Sequence, residues 1–203
     1  MGFQNMKFFI AAIATICFAA VLAAVYLIHV YYFQVNVVLY SAVIDGIVAT
    51  FIVIGVGLLT PFSKKFTNLE KAQLAIIWLL LGYVFAITGP AVIDRSLSFY
   101  ILEKLQQRGG GIRQADFEYV FTKEYVKEHR LVDVRLTEQL ESGTIVIKDG
   151  CVLLTDKGQF LATASRYFRT KFLPKKRLLM GVYSDDLTDP FRSSVDDVDY
   201  RCR

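Results

Sequence analysis

Between residues 8 and 93 the chain carries only five charged side chains, Asp45, Lys64, Lys65, Glu70 and Lys71, and four of the five fall in one short connection. Almost all remaining charge lies from Asp94 onward. A chain that is 54% hydrophobic and 21% charged is too apolar for one ordinary soluble domain unless the two properties are segregated along it. They are, and the amino-terminal half divides into three apolar runs, residues 8–30, 35–59 and 72–93. At about 1.5 Å per helical residue, each is long enough for a hydrocarbon core of about 30 Å. The first run follows a lone Lys7, yet it is longer than a secretory signal core and two more runs follow it, so it reads as a true span.

The connection between the first two runs is short and uncharged. Tyr26, His29, Tyr31, Tyr32, Phe33 and Tyr40 cluster around it, where amphipathic rings prefer the boundary between lipid and water, and a tight helical hairpin is expected. Pro61 with the lysines after it marks the end of the second helix. Ala12, Ala19, Ala20, Ala23 and Ala24 in the first run, and Gly46, Ala49, Gly55 and Gly57 in the second, are small residues of the kind that let membrane helices approach closely. Asp45 is the exception in this half, because an ionised carboxylate inside a span is expensive and rarely faces lipid. No Lys or Arg lies in the spans. Its expected partners are Tyr or Ser hydroxyls, a proton, water or another subunit, and it is the candidate protein-contact residue of the membrane half; the alternative is a hydrated place near the interface.

After Arg95 the periodicity predicts helices over 96–107, 114–127 and 130–141, the first ended by Gly109-Gly110-Gly111. Residues 144–147 and 151–154 are β-branched or apolar runs joined by Lys148-Asp149-Gly150, a hairpin signal. A last helix is expected over 157–172, closed by Pro174. In that order, Val132-x-x-Arg135-Leu136-x-x-Gln139-Leu140-x-x-Gly143-x-Ile145, then Asp149-Gly150 and Leu154-Thr155-x-Lys157-Gly158, resemble a winged-helix domain over residues 95–177. The fold class expected is thus an α-helical membrane protein, with three transmembrane helices over residues 1–94 followed by a small α+β winged-helix-like domain. Residues 178–203, rich in Asp, are expected to form a disordered acidic tail.

The resemblance implies a third helix that enters a DNA groove, which requires exposed Arg or Lys. Residues 114–143 instead carry seven acidic and four basic side chains, a net −3, which disfavours phosphate binding. Asp133, Glu138 and Glu141 are therefore read as a protein-interaction face. The basic residues Arg166, Arg169, Lys171, Lys175, Lys176 and Arg177 are interleaved with Tyr167, Phe168 and Phe172, a mixture that suits anionic lipid headgroups.

No nucleophile with a base, carboxylate pair, metal cluster or phosphate loop is visible, so no catalytic, cofactor or metal residues are assigned. His29 and His129 read as structural. Cys17, Cys151 and Cys202 lack CxxC spacing, and the last two read as ordinary thiols. The expectation is a non-catalytic integral membrane subunit or adaptor. Its partners would be the bilayer, anionic headgroups, and another integral membrane protein or further copies of itself. The alternative is a membrane-tethered transcription regulator. Positive-inside counts tie between Lys7, Lys64, Lys65 and Lys71 on one side and Arg95, Lys104, Arg108 and Arg113 on the other. The later basic run and the resemblance break the tie toward a cytoplasmic carboxyl-terminal domain.

Overall fold

The computed structural model describes residues 3–60 and 64–193. Pro61, the expected helix stop, lies outside them, as do Asp196, Asp197, Asp199 and Cys202. Three helices are long and apolar enough to cross a membrane: α1 (Phe3–Tyr32), α2 (Val38–Leu59) and α3 (Asn68–Ala86). The third continues through a π-helical turn, Ile87–Ala91, into Val92–Arg95. Pro90 lies inside that turn; a proline lacks the N–H an α-helix needs, and the wider π turn absorbs it without ending the helix. The start of α3 is fixed by a capping box. Thr67 Oγ1 accepts from the Glu70 backbone N–H, and the Glu70 carboxylate accepts from the Thr67 N–H, so two orphan donors are satisfied reciprocally.

Side-chain contacts set the register of the bundle. Lys7 Nζ lies 2.9 Å from Glu70 Oε1, Trp78 Nε1 donates to Thr15 Oγ1 at 3.1 Å, and Trp78 stacks on Phe18 at 5.9 Å between centroids. Tyr26 meets Phe85 edge-on. α1 and α3 therefore run parallel, with α2 antiparallel between them in sequence. Phe18, 1% exposed, centres a cluster with Ala14, Leu22, Ala49 and Trp78.

α2 and α3 touch through glycine. A Cβ built on Gly46 would lie 3.0 Å from the Gly82 Cα, and one on Gly82 would lie 2.9 Å from the Gly46 Cα. Ala42, Ala49 and Ala86 are fully buried nearby in sequence on the same helices, as expected where association depends on close packing rather than on expelling water. The expected packing set is only partly the one used. Gly46 and Ala49 are buried, whereas Gly55 and Gly57 have nothing within 4 Å of an added Cβ, and Ala12, Ala19, Ala20, Ala23 and Ala24 are exposed on α1. In a helix that is apolar all round, composition does not say which face turns inward.

Beyond α3, α4 (Leu97–Gln107) is capped by Ser96. A helical stretch of mixed 3-10, α and π geometry runs through Gln114–Asp116, Phe117–Tyr119, Val120–Tyr125 and Val126–Glu128. Tyr100, Val120 and Tyr125 form its core with Ile112, Phe121 and Leu131. The helix α5 (Leu131–Glu141) follows, then β1 (Ile145–Lys148) antiparallel to β2 (Cys151–Leu154), with Ile145 opposite Leu154 and Lys148 opposite Cys151. Asp149 and Gly150 both take positive φ in the turn, the backbone that two-residue hairpins favour. α6 (Asp156–Phe172) completes that order. The chain divides into two compact units, Met1–Val132 and Asp133–Arg203.

The Thr155-x-Lys157-Gly158 segment explains how α6 begins. Thr155 Oγ1 accepts from the Gly158 N–H at 3.1 Å as N-cap and donates to the Gly143 and Thr144 carbonyls, while Lys157 donates to the Ser142 carbonyl. Gly158 packs so closely that a Cβ would sit 2.1 Å from the Thr144 carbonyl oxygen. At and beyond the expected domain end at residue 177, β3 (Arg177–Leu179) pairs with β4 (Val182–Ser184) through Met180 and Gly181, both at positive φ.

Candidate functional site

Two clusters bring ionisable groups together, and sequence distance hides both. In the amino-terminal half, α1 ends and α2 begins across a connection of five residues, which returns the chain so that His29 faces Asp45. Asp45 is 3% exposed, and the side chain it meets is His29, which was not among its expected partners. His29 Nδ1 lies 2.6 Å from Asp45 Oδ1. A carboxylate can only accept, so in the pair of an ionised Asp45 with a neutral ring the Nδ1–H donates and the ring is fixed in orientation. Phe33 lies edge-on to that ring at 5.7 Å. A cavity of about 350 Å³ is lined by Tyr26, His29, Val30, Phe33, Val35, Val38, Ser41 and Asp45. Sequence reading missed the pair because His29 belongs to the hairpin end and was not counted among the groups available to a buried acid.

The second cluster is centred on Lys104, 4% exposed. Its ammonium donates to Glu128 at 2.6 Å and lies 2.7 Å from Glu124. Tyr100 donates to the other Glu128 oxygen at 2.8 Å, and Arg108 reaches Glu124 at 3.2 Å. The Lys104 hydrogen bond is the main reason that both carboxyls are held below the usual carboxylate range, with Tyr100 adding to it at Glu128 and Arg108 at Glu124. The same two acids raise the Lys104 ammonium above the ordinary lysine range. Burial, then the bond to Glu128, pushes the Tyr100 phenol up to about 12. His129 packs on Tyr100 and Tyr125. Two of the acidic side chains behind the −3 balance are thus bound to basic partners within the unit, in a fully paired polar network.

In the Asp133–Arg203 unit, Asp133 and Glu141 are exposed, while Glu138 accepts from Arg135 at 2.8 Å. Of the basic set, Lys171, Lys175, Lys176 and Arg177 are exposed. Arg166 lies 3.6 Å from Asp189, and the Arg169 guanidinium sits over the Phe191 ring at 5.6 Å, so two of the six meet the segment after β4. Cys151 is disulfide-bonded and Cys17 is free, which corrects the reading of Cys151 as an ordinary thiol. Among the described residues no group of three or more His, Cys, Asp or Glu is placed to hold a metal ion.

The chain matches no family profile, no curated protein and no solved structure.

Proposed function

We propose that the protein is a non-catalytic integral membrane subunit or adaptor: its three long helices anchor it beside a larger membrane protein, and a winged-helix-like carboxyl-terminal region docks on a protein partner. The observation that carries this reading is the apolar surface of the Asp133–Arg203 unit. It buries Thr144, Ile145 and Gly158 but leaves Ile147, Leu154, Phe168, Phe172 and Met180 exposed, with Phe160 at 70%. Two-stranded hairpins are marginal without a covering layer, and clustered exposed apolar side chains mark interaction surfaces. Arg135 is held by Glu138, which leaves the helix that would read DNA without a free guanidinium at that position.

The test is site-specific photocrosslinking in intact membranes, with benzoylphenylalanine in place of Phe160 and, separately, of solvent-facing Lys127. A discrete heavier adduct from position 160 and none from position 127 is the expected result. Adducts to lipid alone, or none, would remove the adaptor reading. Sequence-selective DNA binding that depends on Arg130 or Arg135 would replace it with the tethered regulator.

The same proposal puts this unit on the cytoplasmic side, and the basic run supports that side. One observation favours the opposite side: Cys151 is disulfide-bonded, and disulfides persist in oxidising compartments.

A further inference from the structure

The adaptor reading makes no use of the cavity at the His29–Asp45 pair, and that cavity has the composition of a ligand site. Its walls are chiefly Tyr26, Val30, Phe33, Val35 and Val38, and its polar groups, His29, Asp45 and Ser41, are few. Small-molecule sites follow this plan, with apolar and aromatic walls and a small number of placed polar atoms, at volumes of about 300–1,000 Å³; the cavity here, at about 350 Å³, admits one ring-sized head group.

The polar chemistry narrows the ligand further. Asp45 occupies Nδ1 of the imidazole, so Nε2 is the ring atom left to a ligand, and a carboxylate behind a histidine fixes tautomer and ring orientation, as it does in metal sites. With Nδ1–H turned to the carboxylate, Nε2 accepts, and the Ser41 hydroxyl can donate. No Lys or Arg lines the cavity, so nothing there balances the charge of a phosphate head. A cationic head would compete with His29 for the one carboxylate. What remains is an uncharged molecule with a hydroxyl that donates to Nε2 and accepts from Ser41, and Tyr26 and Phe33 supply ring surfaces for a flat group. Because the lining belongs to helices α1 and α2 and the turn between them, among exposed rings of Tyr31, Tyr32 and Tyr40, the ligand would come from the bilayer rather than from water.

We propose that this cavity binds the hydroxyl head of a neutral, membrane-dissolved compound, with Nε2 of His29 as the acceptor, Ser41 as the donor and Asp45 as the residue that positions His29. Two sources offer that chemistry, a lipid-soluble quinol and the free hydroxyl of a diglyceride.

The test uses the full chain in nanodiscs with a photoreactive azidoquinol kept reduced, followed by peptide mapping. Expected is saturable labelling of the segment 26–45, reduced at least tenfold by excess decylubiquinol if the ligand is a quinol, or by dioleoylglycerol if it is a diglyceride. Val38→Trp adds bulk to the cavity wall and should abolish labelling, while His29→Gln keeps an acceptor, its amide oxygen, and should retain more of it than His29→Ala. Helix content by circular dichroism checks that each variant keeps its fold, with Trp78 fluorescence as a second check in the variants that keep it as the single tryptophan. Labelling that does not saturate, that yields to neither competitor, or that survives Val38→Trp in a folded protein would overturn the proposal and leave the pair as a latch between α1 and α2.

Discussion

A single methyl group at Gly82 tests how α2 and α3 are held. The added Cβ would lie 2.9 Å from the Gly46 Cα and 3.4 Å from its carbonyl carbon, where carbon atoms ordinarily rest about 3.5–4.0 Å apart. Both neighbours are backbone, so the helices themselves must separate, and overpacking of this kind costs about 1–3 kcal/mol. Against it stands the intrinsic helix preference of Ala over Gly, about 0.8–1.0 kcal/mol. Gly55→Ala isolates the first effect, because an added Cβ there meets nothing within 4 Å and the propensity gain is shared by both variants. The difference between them should therefore be about 1–3 kcal/mol, with Gly82→Ala the less stable. Detergent-induced unfolding of the full chain, titrated from mild detergent into dodecyl sulfate, measures it, with the single Trp78 against Phe18 as the fluorescence reporter. Gly46→Ala combined with Gly82→Ala should cost less than the sum, since one separation accommodates both methyls. Equal stability of Gly82→Ala and Gly55→Ala would refute the glycine contact.

Gly158→Ala should loosen the start of α6, because its Cβ would sit 2.1 Å from the Thr144 carbonyl; hydrogen exchange of residues 144–158 should quicken while that of α1–α3 stays unchanged. Around Lys104 the sign follows from the direction of the shifts. Glu124 and Glu128 have folded pKa values below their ordinary 4.5, so their contribution is present above that pH and is lost as the pH falls through the lowered values. Exchange protection of residues 97–128 should accordingly decline on acidification below about pH 4.5, and Lys104→Met, which removes the main cause of both lowered values and leaves two carboxylates without their shared ammonium, should lower protection at neutral pH and flatten that decline. A Lys104→Met protein with an unchanged acid profile would show that the ion pairs do not hold this region.

The parts of the fold that were legible in the sequence are those where local chemistry and tertiary structure agree. Lys148-Asp149-Gly150 announces a hairpin because Asp and Gly tolerate the positive φ the turn uses. The second hairpin escaped notice because Met180 is no turn former, yet it adopts φ 48 beside Gly181. Pro90 lies within the expected third run, and the structure carries it inside a π turn. In the spans, apolar periodicity vanishes, so the outward face of Ala12, Ala19 and Ala23 could not be told from the inward face of Ala14 and Phe18. The site was the least legible part. His29 and Asp45 are 16 residues apart on two sides of a turn, and Lys104 meets Glu128 across 24 residues, so only the folded chain brings either set together.

The central claim is that three membrane crossings carry the chain from one face of the bilayer to the other, and sided cysteine labelling tests it most directly. Single cysteines at Lys64, between α2 and α3, and at Gly110, beyond α3, are introduced with Cys17, Cys151 and Cys202 changed to Ser, and intact cells are treated with an impermeant maleimide before and after permeabilisation. The account predicts opposite behaviour: one position labels in intact cells, and the other only after permeabilisation. Protection of Gly110→Cys in intact cells would match the cytoplasmic placement of the carboxyl unit, and its labelling there would match the side favoured by the Cys151 disulfide. Identical behaviour of the two positions would contradict the account, because the third helix would then not cross the membrane.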